Sequence, residues 1–263
     1  MTSDLLSLQG RRALVTGASS GIGRAVALAL ARHGAGVIVH HCGEAARARA
    51  VAEEIGGAIS VMEADFTDTR ATSAFADEVV ARHGPIDILI SNAAIERRLG
   101  WEDITPAHVE AHAAANFTAL LTLAGRLVPL MSGRGWGRVV ATGSVMACRP
   151  RAETAVYASL KAAQLTAVRA IARDVARHGV TMNVVSPGAI ETEATAQRYS
   201  DAGFRKAVAA KIPAGRHGLP DDLVGAFVFL CSDAAGYITG ADIPVDGGWT
   251  IGDAPGALPE ASA

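Results

Sequence analysis

The sequence contains few cysteines, and their positions argue against a disulfide-stabilised fold. Its 263 residues include three, Cys42, Cys148 and Cys231, which are far apart and form no CxxC pair. An odd and sparse set of cysteines is typical of reduced thiols inside the cell. The first residues, Met1 to Leu5, also lack the basic flank and apolar stretch of a signal peptide. We therefore expect a cytoplasmic protein.

An excess of positive charge is also absent, as is any long apolar run. The 24 basic and 26 acidic side chains give a net charge of -2, which provides no electrostatic attraction to nucleic acid. No run approaches the roughly 18 apolar residues of a membrane span. The eight histidines show no HExxH spacing, and adjacent His40 and His41 would point to opposite faces of a strand. These absences predict no nucleic-acid partner, no membrane association and no metal site.

Half of the residues are hydrophobic, which is enough for the core of a large α/β domain. Continuously apolar runs alternate with Ala-rich helical segments, as in parallel sheets covered on both faces. The predicted strands are residues 12–16, 36–40, 58–63, 86–91, 137–143, 180–186 and 242–245. Right-handed crossovers then give a Rossmann-type, doubly wound parallel sheet with helices on both faces. We predict an α/β fold with a single domain over residues 1–263 and a mobile tail at 253–263.

The phrase Ala-Arg-His-Gly occurs three times, at residues 31–34, 81–84 and 176–179. Each copy follows an Ala-rich stretch and precedes a β-branched run. Arg and His favour the negative end of the helix dipole, and Gly readily adopts the left-handed conformation after a helix. We therefore interpret the phrase as a helix end, not as a set of metal ligands or a solenoid repeat.

The first predicted strand continues directly into Thr16-Gly17-Ala18-Ser19-Ser20-Gly21-Ile22-Gly23, and a helix follows. Three glycines permit a tight turn and the close approach of a pyrophosphate, which the free N–H groups of the helix would bind. The spacing differs from the Gly-x-Gly-x-x-Gly of many dinucleotide-binding proteins, and a tight structural turn would use the same glycines. Its place between the first strand and the first helix favours nucleotide binding.

This turn resembles the cofactor signature of the short-chain dehydrogenase/reductase family. The resemblance covers about residues 8–250 and continues through Asp65, Ser91-Asn92-Ala93-Ala94, Ser144, Tyr157-x-x-x-Lys161, Pro187-Gly188, Ile238-Thr239-Gly240 and Val245-Asp246-Gly247-Gly248. It implies an NAD(P)(H)-dependent oxidoreductase that interconverts a secondary alcohol and a ketone. Within the family, the chain resembles the members that act on ketoacyl-carrier proteins or on gluconate-type sugars.

The resemblance also implies the catalytic residues. Tyr157 and Lys161 are four residues apart in an Ala-rich helical segment and so share one helix face. Tyr157 would be the general acid/base, Lys161 would lower the Tyr157 pKa and bind the nicotinamide ribose, and Ser144 would hydrogen-bond the substrate oxygen. Asn116 would hold a water that relays protons to Lys161. A buried amide that caps a neighbouring loop is the alternative for Asn116.

A larger set of residues is implied to bind the cofactor. These are Gly17, Ser19, Ser20, Gly21, Ile22, Gly23, His41, Asp65, Phe66, Asn92, Ala93, Tyr157, Lys161, Pro187, Gly188, Ile190 and Thr192. Asp65 would contact the adenine amine, with a turn-forming aspartate as the alternative. NAD specificity normally rests on an acid at the end of the second strand, where this chain has His41. We therefore favour NADP(H), with NAD(H) as the other option and an exposed strand-end residue as the alternative for His41.

The segments that line the substrate pocket in the family are rich in arginine here. They contain Arg97, Arg98, Arg149 and Arg151, followed by a substrate lid over residues 191–217. These side chains would attract an anionic substrate, although ordinary surface charge is the alternative. We expect a small alcohol or ketone, such as a sugar acid or polyol. Apolar helices at about 105–131 and 153–178 predict further burial, which relatives achieve in a homotetramer.

Two positions depart from the family pattern. Ala94 adds a methyl group where the family usually has Gly, and Leu160 stands where Ser often precedes the active Lys. A catalytically silent nucleotide-binding sensor on the same fold is the alternative function, but the intact Ser144, Tyr157 and Lys161 argue against it. An epimerase or dehydratase is a further alternative, and such enzymes usually carry an extra substrate domain that this length lacks.

Overall fold

A parallel sheet forms the centre of the molecule. The computed structural model describes residues 5–57 and 60–252, and the strands within them are β1 (Arg12–Val15), β2 (Gly36–His41), β3 (Ser60–Glu63), β4 (Ile88–Ser91), β5 (Gly137–Thr142), β6 (Val180–Pro187) and β7 (Asp242–Val245). They lie in the order β3-β2-β1-β4-β5-β6-β7, and all neighbours are parallel. The order reverses between β1 and β4, which is the switch point of a Rossmann-type sheet. The predicted fold class is confirmed.

Helices cover both faces of this sheet. They are α1 (Gly21–Arg32), α2 (Ala45–Ile55), α3 (Thr69–His83), α4 (Pro106–Ala113), α5 (Ala119–Gly133), α6 (Ala155–Val175), α7 (Ala196–Tyr199), α8 (Ala202–Ala209) and α9 (Asp221–Cys231). Helices α3, α5 and α6 pack on one face, and α1, α2 and α9 pack on the other. Along β1, Leu14 faces the first group while Ala13 and Val15 face the second. Burial on both faces explains why the strands are continuously apolar.

The three Ala-Arg-His-Gly phrases all lie at helix ends, as the sequence predicts. Helix α1 ends at Arg32 and α3 ends at His83, while a 3₁₀ turn, Ala176–His178, extends α6. The glycine of each phrase has a positive φ, between 69° and 97°. These glycines therefore end each helix and turn the chain toward the next strand.

The structure differs from the predicted elements mainly at their ends and within one helix. β4 begins at Ile88 and not at residue 86, and β3 begins at Ser60, with residues 58 and 59 outside the described part of the chain. The helix expected at about 105–131 is divided by a π-helical segment, Ala114–Thr118. Hydrophobic periodicity does not reveal such a segment, because a single wide turn shifts the repeat by only one residue. The tail at 253–263 lies outside the described residues.

The same helical stretch bears on the expectation that no apolar run is long enough to span a membrane. Within the described residues, Pro106–Gly133 is the one helical stretch that reaches the length and hydropathy of a span. In the structure, 56% of its most apolar window is buried, because Leu120, Leu123 and Leu127 pack in the core beside the sheet. Such burial is typical of a core helix.

His40, near the end of β2, joins three segments at the carboxyl edge of the sheet. Its Nδ1 accepts a hydrogen bond from the Gly17 N–H (3.0 Å), and its Nε2 lies 3.1 Å from the Ala64 carbonyl oxygen. Because a carbonyl oxygen can only accept, Nε2 carries the proton and the ring is neutral. The ring also stacks on Phe66 with 4.2 Å between centroids. Burial is the main reason that the pKa of His40 is lowered from 6.5 to about 4.

We predict that His40 makes the fold sensitive to acid. Between pH 6.5 and 4 the unfolded chain binds a proton at this ring that the folded chain does not bind, so the free energy of unfolding falls as pH falls. At about 1.4 kcal/mol per pH unit, the loss by pH 4 is about 3 kcal/mol. Urea denaturation at pH 7 and pH 4 would measure this loss in the wild type and in His40→Gln.

His40→Gln is expected to lose about 3 kcal/mol less than the wild type over this interval. The matched control is His178→Gln, because His178 is exposed at the end of α6 and should leave the loss unchanged. Equal losses in the wild type and in His40→Gln would contradict the prediction.

Candidate active site

The Gly-rich turn between β1 and α1 is packed too tightly for side chains at its last glycine. A Cβ at Gly23 would lie 2.1 Å from the Gly17 carbonyl oxygen and 2.6 Å from Asn92 Nδ2. Asn92 holds the turn from the end of β4, since its Nδ2 donates to the carbonyl oxygens of Thr16 (3.0 Å) and Gly17 (3.2 Å). The chain therefore enters α1 sharply, and the first N–H groups of the helix are free of intrahelical partners.

This turn fits the pyrophosphate of a dinucleotide. It follows β1, whose neighbours β2 and β4 continue the chain in opposite directions across the sheet, and such a crevice is where open α/β sheets bind nucleotides. Gly21 has a φ of +53°, and a Cβ there would lie 3.3 Å from Thr192 Cγ2. Backbone and ligand can approach closely only because no side chain stands at these positions.

Two carboxylates contact the turn, and neither was expected from the sequence. The Ser19 hydroxyl donates to Glu44 Oε2 at 2.6 Å, and the Gly21 N–H donates to Glu193 Oε2 at 2.9 Å. Glu44 directly precedes α2, and its Oε1 is paired with Arg47 at 2.9 Å. The strand-end position itself holds His41 and no acid, but Glu44 brings a carboxylate to the turn three residues further along the chain.

Helix α6 presents Lys161 to the end of β5. The ammonium Nζ donates to the Thr142 carbonyl oxygen at 2.6 Å, and the side chain is only 3% exposed. Burial lowers the pKa of Lys161 to about 8, because the low-dielectric surroundings disfavour the charged form. Tyr157 lies one turn earlier on the same helix, with its ring centroid 5.6 Å from Nζ.

The Tyr157 phenol meets Ser144, the second residue after β5. Burial and the negative charge of Glu96 raise the pKa of Tyr157, and they outweigh the nearby Ser144 hydroxyl, which favours the phenolate. The sequence analysis expected Lys161 to lower this pKa, so the protein alone shows the opposite direction. Ser144 Oγ also accepts the Met146 N–H at 3.1 Å, which fixes the hydroxyl at the start of a 3₁₀ turn.

Asn116 lies in the π-helical segment and faces the loop after β4. Its Oδ1 accepts the Ile95 N–H (2.8 Å), and its Nδ2 donates to the Ile95 carbonyl oxygen (2.9 Å). The side chain is 3% exposed, so it acts as the buried, loop-capping amide of the alternative interpretation. The water relay to Lys161 stays a prediction.

A cavity of about 380 Å³ lies against the catalytic group, and the structure brings several predicted site residues to its wall. Those on the wall are Ile22, Ser144, Tyr157, Pro187, Gly188, Ile190 and Thr192. The adjacent turn contains Gly17, Ser19, Ser20, Gly21 and Gly23. Asn92 and Ala93 contact this turn. Ala94 has a negative φ, as do all described residues other than glycine, so its methyl group is tolerated without backbone strain.

The surroundings of three predicted cofactor residues, His41, Phe66 and Asp65, bear on how each could contact a ligand. His41 is 3% exposed, and its Nδ1 has no hydrogen-bond partner within the described chain, so it is not an exposed strand-end residue. The Phe66 ring is packed against His40 and Phe75 in the core, which leaves only its backbone to meet a ligand. Asp65 Oδ1 accepts the N–H and the hydroxyl of Thr67, as a turn-forming aspartate does.

The positive charge of the cavity comes only partly from the arginines named in the sequence. Arg98 and Arg151 line it, whereas Arg149 lines a neighbouring cavity and Arg97 lines neither. Arg98 is paired with Glu96 at 2.8 Å. The segment 191–217, which the sequence predicts to be a lid, adds Arg198, Lys211 and the rings of Tyr199 and Phe204 to the cavity wall. Sequence reasoning missed Lys211, because no local pattern shows which lid residues turn inward.

The described residues include no group of three or more His, Cys, Asp or Glu side chains that could hold a metal ion.

We predict that Gly23→Ala abolishes tight nucleotide binding. The added methyl group would collide with backbone, the Gly17 carbonyl oxygen, so the turn must shift, and we expect dinucleotide affinity to fall by at least about 10-fold, or about 1.4 kcal/mol. Gly225→Ala in α9 is the matched control, since a Cβ there meets nothing within 4 Å. It should keep the affinity and stabilise the helix by up to about 1 kcal/mol. Wild-type affinity in Gly23→Ala, measured by calorimetry, would refute the prediction.

Comparison with known proteins agrees with this geometry. The family model described as enoyl-(acyl carrier protein) reductase matches residues 17–250. The 3-oxoacyl-(acyl-carrier-protein) reductase of Escherichia coli (strain K12) is 35% identical over 251 residues, which are 92% of this chain and 98% of that protein.

Two solved structures are also similar to this chain. A gluconate 5-dehydrogenase from Burkholderia cenocepacia J2315, in complex with NADP and tartrate, has a TM-score of 0.88 and 34% identity and covers 95% of this chain and 99% of its own. A short-chain type dehydrogenase/reductase from Mycobacterium marinum has a TM-score of 0.84 and 34% identity, with 94% and 98% coverage. The chain therefore belongs to the short-chain dehydrogenase/reductase family, the nicotinamide-dependent oxidoreductases that act on CH–OH groups.

Proposed function

We propose that Tyr157 is the general acid/base by which this oxidoreductase interconverts a secondary alcohol and a ketone. The observation that carries the proposal is that Ser144 and the Tyr157 phenol meet at the wall of the cavity, with Lys161 buried one helical turn away. A substrate oxygen placed between the two hydroxyls would be within reach of a proton donor and a second hydrogen bond. The silent-sensor alternative gives no reason for this arrangement.

The protonation state of Tyr157 suits the reductive direction. Burial and Glu96 keep the phenol protonated, and the neutral phenol is the form that donates a proton to a developing alkoxide. In oxidation the same oxygen must accept a proton, so positive charge is needed nearby. When bound, the nicotinamide cofactor exchanges the hydride with the substrate carbon, and its oxidised form brings a positive charge.

Lys161 has two roles in this proposal. Its ammonium is fixed by the Thr142 carbonyl oxygen, which leaves two of its three donors for the ribose hydroxyls and the phenol. Its pKa of about 8 shows that the site disfavours its charge. A second anionic or hydroxyl partner would therefore stabilise the charged form.

NADP(H) is the cofactor we propose for the Gly-rich turn, with NAD(H) as the second candidate. The proposal is supported by the absence of an acid at the strand-end position of His41 and by the NADP found in the similar B. cenocepacia structure. Its phosphates would be held by backbone N–H groups and serine hydroxyls of the turn, those of Gly17, Ser19, Ser20, Gly21 and Gly23.

The substrate we propose is a small hydroxy acid or keto acid, held by a lid at residues 191–217. Lys211 and Arg198 line the cavity, and neither forms an ion pair with another described residue. Tyr199, Phe204 and Trp249 supply apolar walls for the carbon skeleton. Unpaired cations in a partly enclosed cavity favour a carboxylate or phosphate ligand.

We also propose a cytoplasmic homotetramer. Of the three unpaired cysteines, Cys42 and Cys148 are exposed, which suits a reducing compartment. Half-buried apolar side chains on the outer faces of α5 and α6, such as Leu121 and Leu160, would be covered in an assembly of four copies.

Tyr157→Phe is expected to lower kcat by about 100- to 10,000-fold, because it removes the ionisable hydroxyl and keeps the ring. The dissociation constant of the cofactor should stay within about 2-fold of the wild type, since the turn and Lys161 remain. Steady-state turnover of hydroxy acids and keto acids, together with calorimetry of the cofactor, measures both quantities. Lys161→Ala should damage both turnover and cofactor binding.

Tyr199→Phe is the matched control, because Tyr199 lines the same cavity and is 5% exposed. It should keep kcat within a few-fold of the wild type. Turnover that survives in Tyr157→Phe would mean that another group moves the proton, and the proposed mechanism would be wrong.

Lys211→Gln is expected to raise KM for a hydroxy acid by about 10-fold, which is about 1.4 kcal/mol, with kcat little changed. The reason is that this charge would contact the carboxylate in the ground state and the transition state alike. A neutral alcohol should show no change. Lys206→Gln removes an exposed charge from α8, outside the cavity wall, and should affect neither substrate. Equal KM values in Lys211→Gln and Lys206→Gln would eliminate Lys211 as the anion-binding residue.

A further inference from the structure

We infer that the Glu44–Arg47 pair, and not the strand-end residue His41, decides how strongly this protein distinguishes NADP from NAD. The inference rests on the proposed cofactor site at the Gly-rich turn. The observation behind it is a pair of linked contacts. The Ser19 hydroxyl donates to Glu44 Oε2 (2.6 Å), and Arg47 Nη1 donates to Glu44 Oε1 (2.9 Å). The Ser19 side chain of the turn is thus hydrogen-bonded to Glu44, and Glu44 is paired with Arg47.

The place of Glu44 in the fold suits contact with the adenosine ribose. β1 and β2 are adjacent and parallel, so the loop after β2 lies beside the Gly-rich turn at the carboxyl edge of the sheet. In dinucleotide-binding folds, an acid about 20 residues beyond the glycines bonds the ribose 2′-hydroxyl, or a nearby Arg accommodates a 2′-phosphate. This chain has both groups there, three residues apart.

Other charges near this place are already engaged. Arg24, on α1, is paired with Glu54, and Glu63 Oε1 accepts the Gly43 N–H at 3.1 Å. Glu193, which lines a surface pocket together with Ser19 and Arg47, is engaged as well, since it accepts the Gly21 N–H at 2.9 Å. Glu44 and Arg47 are therefore the pair whose rearrangement a ribose substituent would require.

The two cofactors would use this pair in opposite ways. The 2′-hydroxyl of NAD can donate to the Glu44 carboxylate without breaking its contacts. The 2′-phosphate of NADP repels that carboxylate and competes with it for Ser19 and Arg47. Arg47 thus attracts the 2′-phosphate of NADP, while the Glu44 carboxylate repels it. The preference of the wild type for NADP or NAD depends on the balance of these two effects.

Calorimetric titration of NADP and of NAD into the full chain tests this inference without any turnover. Glu44→Gln keeps an oxygen acceptor for Ser19 and frees Arg47, so the NADP affinity relative to NAD should rise by at least 10-fold. Arg47→Gln should lower the same ratio by at least 5-fold. Glu53→Gln is the matched control, because it removes an exposed charge from the same helix, and among the described residues the Glu53 side chain forms no hydrogen bond or ion pair with the turn; it should leave the ratio within 2-fold.

The outcomes separate this inference from the proposed function. Binding of both nucleotides, with a ratio that stays constant in Glu44→Gln and Arg47→Gln, would overturn the role of the pair and leave the cofactor site intact. A ratio that changes equally in Glu53→Gln would overturn it as well, since net charge would then be the cause. A wild-type chain that binds neither nucleotide would contradict the proposed function itself.

Discussion

The buried hydrogen bond from Lys161 to the Thr142 carbonyl oxygen is the constraint on which the catalytic geometry depends. A buried ammonium is unfavourable unless hydrogen-bond acceptors compensate for the lost water, and this bond of 2.6 Å is the compensation that the protein itself provides. It fixes α6 against the carboxyl end of β5. Tyr157, one turn before Lys161, is then held beside Ser144, which follows β5 by two residues.

A second set of contacts fixes the turn that joins β1 to α1. Gly23 packs on the Gly17 carbonyl oxygen, Asn92 ties that oxygen to the end of β4, and His40 ties the Gly17 N–H to β2 and to Ala64. Both sets of contacts lie at the carboxyl edge of one parallel sheet, where strand ends supply backbone acceptors and short turns. The Gly-rich turn and Tyr157 are therefore positioned by the same sheet, while residues 191–217 bring Lys211 and Arg198 to the wall of the cavity.

Local patterns predicted what local geometry determines. The spacing of Tyr157 and Lys161 predicted a shared helix face, continuously apolar runs predicted a sheet covered on both sides, and the glycines predicted the turn. The contact of Glu44 with Ser19 joins residues 25 positions apart, and no periodicity encodes it. The π-helical segment was hidden as well, and the sequence offered loop capping by Asn116 only as an alternative, without naming Ile95 as its partner. The Tyr157 pKa was expected to fall, because proximity of a charge can be read from spacing whereas desolvation depends on the whole packed environment.

In the proposed mechanism Tyr157 exchanges the proton, and the charge of the oxidised cofactor brings down the pKa that the protein raises. Ultraviolet difference titration of tyrosinate measures this directly, with the Tyr157→Phe variant used to assign the signal among the three tyrosines. We expect the Tyr157 phenol to resist ionisation in the protein alone and to ionise at a clearly lower pH when NADP⁺ or NAD⁺ is bound. A Tyr157 titration that is unaffected by the oxidised cofactor would contradict the account.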